Sequence, residues 1–406
     1  MRENREQTRR QGDRETGEKI DGDRGRLPVS LRLFRNLFFV LLACSFFLPT
    51  SPSRAKQQAE WGAQSSGVLS KLSGVYFVDR NRGWVVGSNG TLLVTEDGGV
   101  KWRRQELPER QKNEALNDVW FLNSGRGLLL GEYGIFNRKA GADWSERIFL
   151  LTSNDRGANW EAGALARLPI KQPIGQPESV SSKKTNEGIE VLKPEQRPSD
   201  PILLRMVFAN DQTGWAVGEA GTIQSTDDGG ATWRMQEASE RKLLYDVAAI
   251  DGKQAWAVGA GGTILRTVDG GRNWKGQSSG AAQTLRGVHF IDAKRGWAVG
   301  AKGTIITTIN GGGRWHRQTS NVELNLNDIF FVNAKEGSKE EPKEGWIAGD
   351  RGLLLHTTDG GATWESVGLS THANLSRLFF VAPDYGWVVG TSGAIFKYGQ
   401  IENPQK

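Results

Sequence analysis

The chain has 406 residues, and its 52 Lys and Arg against 46 Asp and Glu leave a formal net charge of +6. That balance is too mild to imply a nucleic-acid partner, and a single cysteine, Cys44, excludes a disulfide framework. With 52 glycines and 15 tryptophans against 13 prolines and 5 tyrosines, the composition points to many tight turns between tryptophan-bearing strands.

Residues 1–36 carry ten Arg or Lys against seven Asp or Glu, so half of the charge excess falls there. Their first thirty residues have almost no large apolar side chains and cannot bury enough surface to fold, which predicts a disordered extension. Behind Arg32 and Arg35, residues 37–48 form an apolar run that suits a secretory h-region and is short for a membrane span. Ser53-Arg54-Ala55 supplies small residues for cleavage after Ala55. Alternatively, Leu41-Leu42-Ala43-Cys44 reads as a lipoprotein box, or translation begins nearer Val29. Residues 37–55 are therefore expected to be a signal peptide or membrane anchor, with the body exported or facing outward.

The body is a repeat. A Trp-x-Val-Gly-like element recurs at Trp84, Trp215, Trp256, Trp297, Trp346 and Trp387, and a seventh copy has Leu128 in the tryptophan's place. Three of the intervals are 41 residues, and a period near 40 with four short strands per unit is the signature of a β-propeller. Seven units predict seven blades over residues 56–406. Residues 61–79 align without a gap on residues 274–292, so Trp61 belongs to the last strand of a blade whose other three strands stand near the carboxy terminus. The amino-terminal strand is expected to close that blade and remove a free sheet edge. Insertions at 137–150, 161–201 and 333–345 break the period; alternation of loops places the first two on one face and the third on the other.

Six units end in Ser/Thr-x-Asp-x-Gly-x-x-Trp, from Thr95/Asp97/Trp102 to Thr357/Asp359/Trp364, with Asn310 replacing the aspartate once. This resembles the Asp-box hairpin of sialidases and other propellers. A carboxylate repeated around a ring suits turn capping better than catalysis, and Asn310 shows that its charge is dispensable. A sialidase-like glycosidase would need an arginine cluster, an activated tyrosine and an acid/base carboxylate. The Arg-Ile-Pro motif is absent, and the five tyrosines stand in ordinary repeat positions. The four histidines suggest no metal site, and no nucleotide fingerprint is present. No catalytic residue, cofactor or metal is assigned.

The tandem Gly-Trp-x-Val-Gly, Gly-Thr-Ile/Leu and Thr-x-Asp-Gly-Gly-x-x-Trp pattern, clearest at Gly214–Ile223 and Gly296–Gly300, resembles the photosystem II stability and assembly factor family of cyanobacteria and chloroplasts. The resemblance spans residues 61–399. It implies a monomeric, non-catalytic lumenal or periplasmic scaffold that binds a newly inserted membrane protein through a basic surface. A general periplasmic or cell-surface interaction propeller is the alternative.

Aligning the seven innermost strands brings Gly74, Asp118, Arg205, Asp246, Gly287, Asp328 and Arg377 to one position near the channel mouth, with Arg286 beside it. These charges are either a peptide-binding rim or salt bridges between blades. The opposite face carries Arg80, Arg82, Arg126, Lys253, Lys294 and Arg295, a second candidate surface or solubilising charge.

Overall fold

The computed structural model describes residues 59–134, 146–166, 200–332 and 342–399. The segments 1–36 and 37–55, with Cys44 and Ala55, and most of the three insertions lie outside the described residues.

Seven four-stranded antiparallel sheets follow one another along the chain. Blade 4 shows how local sequence makes each. Its inner strand Leu244–Ala249 pairs with Ala255–Gly259, then come Ile264–Thr267 and the outer Lys275–Gln277. The second strand is buried along its whole length, because it is covered on both faces by neighbouring blades. The turn after it needs glycine at Gly262, where φ is 73° and a Cβ would run into the Ala281 carbonyl; the φ of 63° before it, at Gly261, is close to those of Ala220, Arg351 and Ser392 in other blades. Blade 7 is assembled from both ends of the described chain: Glu60–Gln64 pairs antiparallel with Ile395–Gly399, Trp61 opposite Tyr398. The third strand of blade 2 begins at Ile148 and its fourth is Glu161–Ala162, so regular structure takes up the edges of two stretches expected to be insertions.

Adjacent sheets are joined by aromatic stacking. Trp84 stacks on Phe121 at 3.8 Å, Trp256 on Phe290 at 3.7 Å and Trp297 on Phe331 at 3.8 Å between ring centroids. Trp387 of blade 7 stacks on Phe77 of blade 1 across the closure. In each pair the Trp-x-Val-Gly tryptophan meets the phenylalanine that ends the next blade's inner strand. A second tie runs along the rim. Trp274 Nε1 donates to Gln236 Oε1 of the preceding blade at 2.8 Å, and Gln236 Nε2 donates back to Gly270 O at 3.2 Å. Gly271 has φ of 86°, and a Cβ there would run into the Gln236 amide, so glycine is needed twice over. Gln64 makes the same pair of bonds to Trp102 and Gly98, so the amino-terminal strand is joined to blade 1 as any other outer strand is to its neighbour.

Replacing Trp256 with Ala removes a fully buried stacked ring and should cost about 3–5 kcal/mol. Urea denaturation of the variant checks this; a loss under about 1 kcal/mol would show that the stacks do not carry the blade interfaces.

Candidate functional site

The Asp-box turns are self-contained. Thr267 Oγ1 donates to Asp269 Oδ1 at 2.9 Å and accepts the Gly271 N–H at 2.8 Å, while Asp269 Oδ1 accepts the Asn273 N–H at 3.0 Å. Asn310 repeats this with its carbonyl oxygen, bonded by Thr308 Oγ1 at 3.0 Å and the Arg314 N–H at 2.9 Å. The hydrogen bonds given by Asn159, Asn273 and Thr363 hold the carboxyls of Asp155, Asp269 and Asp359 down at about 2. A second cap, not recognised in the sequence, sits in the loop before the second strand. Asp79, Asn210, Asp251 and Asp292 each accept backbone N–H groups two and three residues on.

The channel is where the charged residues converge. Every ring position follows a β-bulge in its inner strand, so that side chain enters the channel and the bulged residue before it faces the mouth. The aspartates are almost fully buried, at 2–3% exposure. Asp118, Asp246 and Asp328 each accept a backbone N–H from the next blade, from Met206, Val288 and Leu378 at 2.7–3.0 Å. Arg205 lies 3.6 Å from Asp118 and 4.0 Å from Asp246. Arg377 lies 3.2 Å from both Asp328 and Asp246, so it bonds its neighbour and also reaches across the channel. Gly74 and Gly287 occur where a Cβ would press on Asp118 Oδ1 and on the Asp328 backbone.

Burial opposes all of these charges. It pushes Asp118 up, and it pushes Asp328 up to about 6 against the pull of Arg377. Burial, then the charge of Arg377, pushes Arg205 down. Burial also works against Arg377, but the carboxylates of Asp328, Asp246 and Asp118 outweigh it and hold Arg377 above its ordinary value. Arg205, Arg377 and the three aspartates thus satisfy one another inside the ring.

Arg286 is placed differently. It occupies a bulge position at the mouth, in a cavity of about 520 Å³ lined also by Asn117, Arg205, Tyr245, Asn327 and Asp350. Its Nη1 donates to Asn327 Oδ1 at 3.1 Å, its guanidinium lies 5.9 Å from the Tyr245 ring centroid, and its Nε is buried without a protein partner. Sequence alignment missed Tyr245, Asn117 and Asn327, because these bulge residues vary from copy to copy.

On the opposite face several of the cations are engaged within or between blades. Arg82 donates to Arg156 O at 2.7 Å and lies over Trp84, while Arg295 pairs with its own Asp292 at 2.7 Å. Arg80 bridges to Asp384 of blade 7 at 2.9 Å. Arg126 and Lys294 sit on blades 2 and 5. Among the described residues, no group of three or more His, Cys, Asp or Glu is arranged to hold a metal, and no helix is long and apolar enough to cross a membrane.

Comparison with known proteins decides the family. The profile described as "Photosynthesis system II assembly factor YCF48" matches three successive stretches, residues 53–187, 184–279 and 276–373. The chain belongs to this family. The photosystem II assembly protein Ycf48 of Thermosynechococcus vestitus is 24% identical over 235 residues, covering 48% of this chain and 67% of that protein. The photosystem II assembly lipoprotein Ycf48 of Prochlorococcus marinus is 34% identical over 96 residues, 22% of this chain and 29% of that one. The chloroplastic stability/assembly factor HCF136 of Arabidopsis thaliana is 24% identical over 212 residues, 49% of this chain and 41% of its own length. Among solved structures, "YCF48 bound to D1 peptide" superposes with a TM-score of 0.62 at 20% identity, covering 84% of this chain and 97% of that one. A xyloglucanase from Xanthomonas campestris superposes with a TM-score of 0.56 at 13% identity, over 83% of this chain and 53% of its own. At such identities the likeness is one of fold, and neither activity nor ligand carries over from it.

The shifted carboxyls set the pH dependence of stability. Asp328 is raised above its ordinary value, so the folded protein gains a proton first and this group's contribution grows as pH falls from about 6 towards 4. The turn carboxyls are depressed to about 2, so their stabilisation is complete above about pH 4 and drains as pH falls towards 2. Burial holds His289 down at about 4, so its contribution runs the other way and is lost as pH falls from about 6.5 towards 4. Thermal melts should drop below pH 4, and between pH 7 and 5 Asp328→Asn should shift towards a loss relative to the parent, because it removes a group that gains stability there. An unchanged difference between pH 7 and 5 in that variant would place the effect elsewhere.

Proposed function

We propose that this protein is a non-catalytic photosystem II assembly factor that holds a segment of a membrane-protein subunit at the mouth of its channel. The observation that carries the reading is the family profile, which runs through residues 53–373 and so through six of the seven inner strands. The curated relatives bear the names of assembly and stability factors. The Asp-box carboxylates are engaged in their own turns and the channel carboxylates in ion pairs, which leaves neither set available as an acid/base pair. One relative is named a lipoprotein and another chloroplastic, which supports an exported protein working against a membrane.

Within that role, Arg286 is the partner-binding residue we favour, with Tyr245, Asn117 and Asn327 as its surround. Arg205, Arg377, Asp118, Asp246 and Asp328 shape the site from below, since their charges are spent on one another. The D1 peptide bound by a homologue is the natural probe. Arg286→Ala should weaken its binding at least about tenfold by calorimetry, without lowering the melting temperature. Lys294→Ala should bind within about twofold of the parent. If the Arg286 variant binds unchanged, the mouth is not the site; if Arg82, Arg126, Lys294 or Arg295 substitutions weaken binding instead, the site is the opposite face.

A further inference from the structure

The position between the hydroxyl residue and the aspartate of each Asp-box turn lies at the tip of its blade on the face away from the mouth. Blades 1, 2, 3 and 6 place Glu96, Asn154, Asp227 and Thr358 there, all hydrogen-bonding side chains. Blades 4 and 5, which are adjacent, place Val268 and Ile309 there, at 57% and 72% exposure. Aliphatic side chains this exposed, repeated at one register position on neighbouring blades, are not required by the turn, since four other residue types make it equally well.

The charge around them is also uneven. Each apolar tip is bonded to the cationic loop beneath it, Gly270 N–H to Lys253 O at 3.0 Å and Gly311 N–H to Lys294 O at 2.7 Å. Arg272 and Arg314 leave the two tips on the other side, and all four cations are exposed. Over the loops of blades 4 and 5 on this face (251–254, 268–273, 292–295 and 309–314) five cations stand against three carboxylates. The corresponding loops of blades 2 and 3 (123–126, 154–159, 210–213 and 227–232) hold two cations against four carboxylates. Asn310 contributes to the difference. Its amide caps the turn as an aspartate does, so what the substitution removes is one negative charge directly beside Ile309.

We propose that this sector, Val268 and Ile309 with Lys253, Arg272, Lys294 and Arg314, docks the propeller on an anionic lipid bilayer. The chemistry fits a membrane surface better than a protein groove. The apolar groups are exposed at the same turn position of adjacent blades, as insertion below headgroups requires, and the cations flank them where lipid phosphates would lie. The docking face is opposite the channel mouth, so it leaves the mouth free.

The test uses the full chain with Cys44→Ser and a single environment-sensitive fluorophore on Ile309→Cys, compared with the same label on Asn154→Cys. With equimolar phosphatidylglycerol and phosphatidylcholine vesicles, the probe at 309 should shift to the blue while the probe at 154 does not. The shift should vanish with phosphatidylcholine alone and at high salt. Replacing Lys294 and Arg314 with Gln should weaken the partition behind it about tenfold or more. No shift at 309, or equal shifts at both positions, overturns the proposal; the second result would show contact that does not depend on the apolar tips. Because no peptide partner is involved, failure here leaves the proposed function untouched.

Discussion

The pairing of Glu60–Gln64 with Ile395–Gly399 is the constraint on which the ring depends. Without it blade 7 would be three-stranded, with the row of backbone groups on Ile395–Gly399 unpaired at an open edge. Trp102 would lose Gln64, and the rim tie between blades 7 and 1 would be missing. Bringing together strands more than 300 residues apart costs loop entropy, but that cost grows only logarithmically with length. The same separation makes closure a late event, since contacts between distant residues are slow to form.

Closure also decides which charges must find partners inside the ring. Once seven inner strands surround a narrow channel, any charge at the ring position is forced out of water and must find a partner there. Arg377 is the clearest case, because it bonds its neighbour Asp328 and also Asp246 three blades away. Glycine at the two remaining ring positions keeps space for this network. One residue earlier, the bulge turns the side chain up to the mouth, where Arg286 donates to Asn327 and lies beside the Tyr245 ring. A shift of one position along the strand thus separates the buried charge network from side chains at the mouth.

The fold was largely legible in the sequence, because a propeller repeats its instructions. The 41-residue interval, the tryptophans and the Asp-box turns each recur, and the gapless match of residues 61–79 with 274–292 disclosed the closure. Of the two readings that the aligned ring charges allow, the structure shows the pairing of Asp118 and Asp246 with Arg205, and of Asp328 with Arg377. What escaped notice depends on contacts between copies. Gln64, Gln236, Gln277 and Gln318 stand three residues after their tryptophans, a visible pattern whose purpose appears only when the next blade's tryptophan is seen against it. The mouth was harder still. Tyr245, Asn117 and Asn327 share the bulge position of Arg286, one residue before the ring, and the residues there differ between blades because the frame does not constrain them. On the opposite face the recurring cations include Arg82 and Arg295, whose local partners the repeat does not reveal.

The most direct test of this account is a crystal structure of the protein with the D1 peptide bound. The account predicts the peptide at the channel mouth, with a polar group on Arg286 and contact with Tyr245. A peptide seated on the opposite face, or along the outer strands, would contradict it.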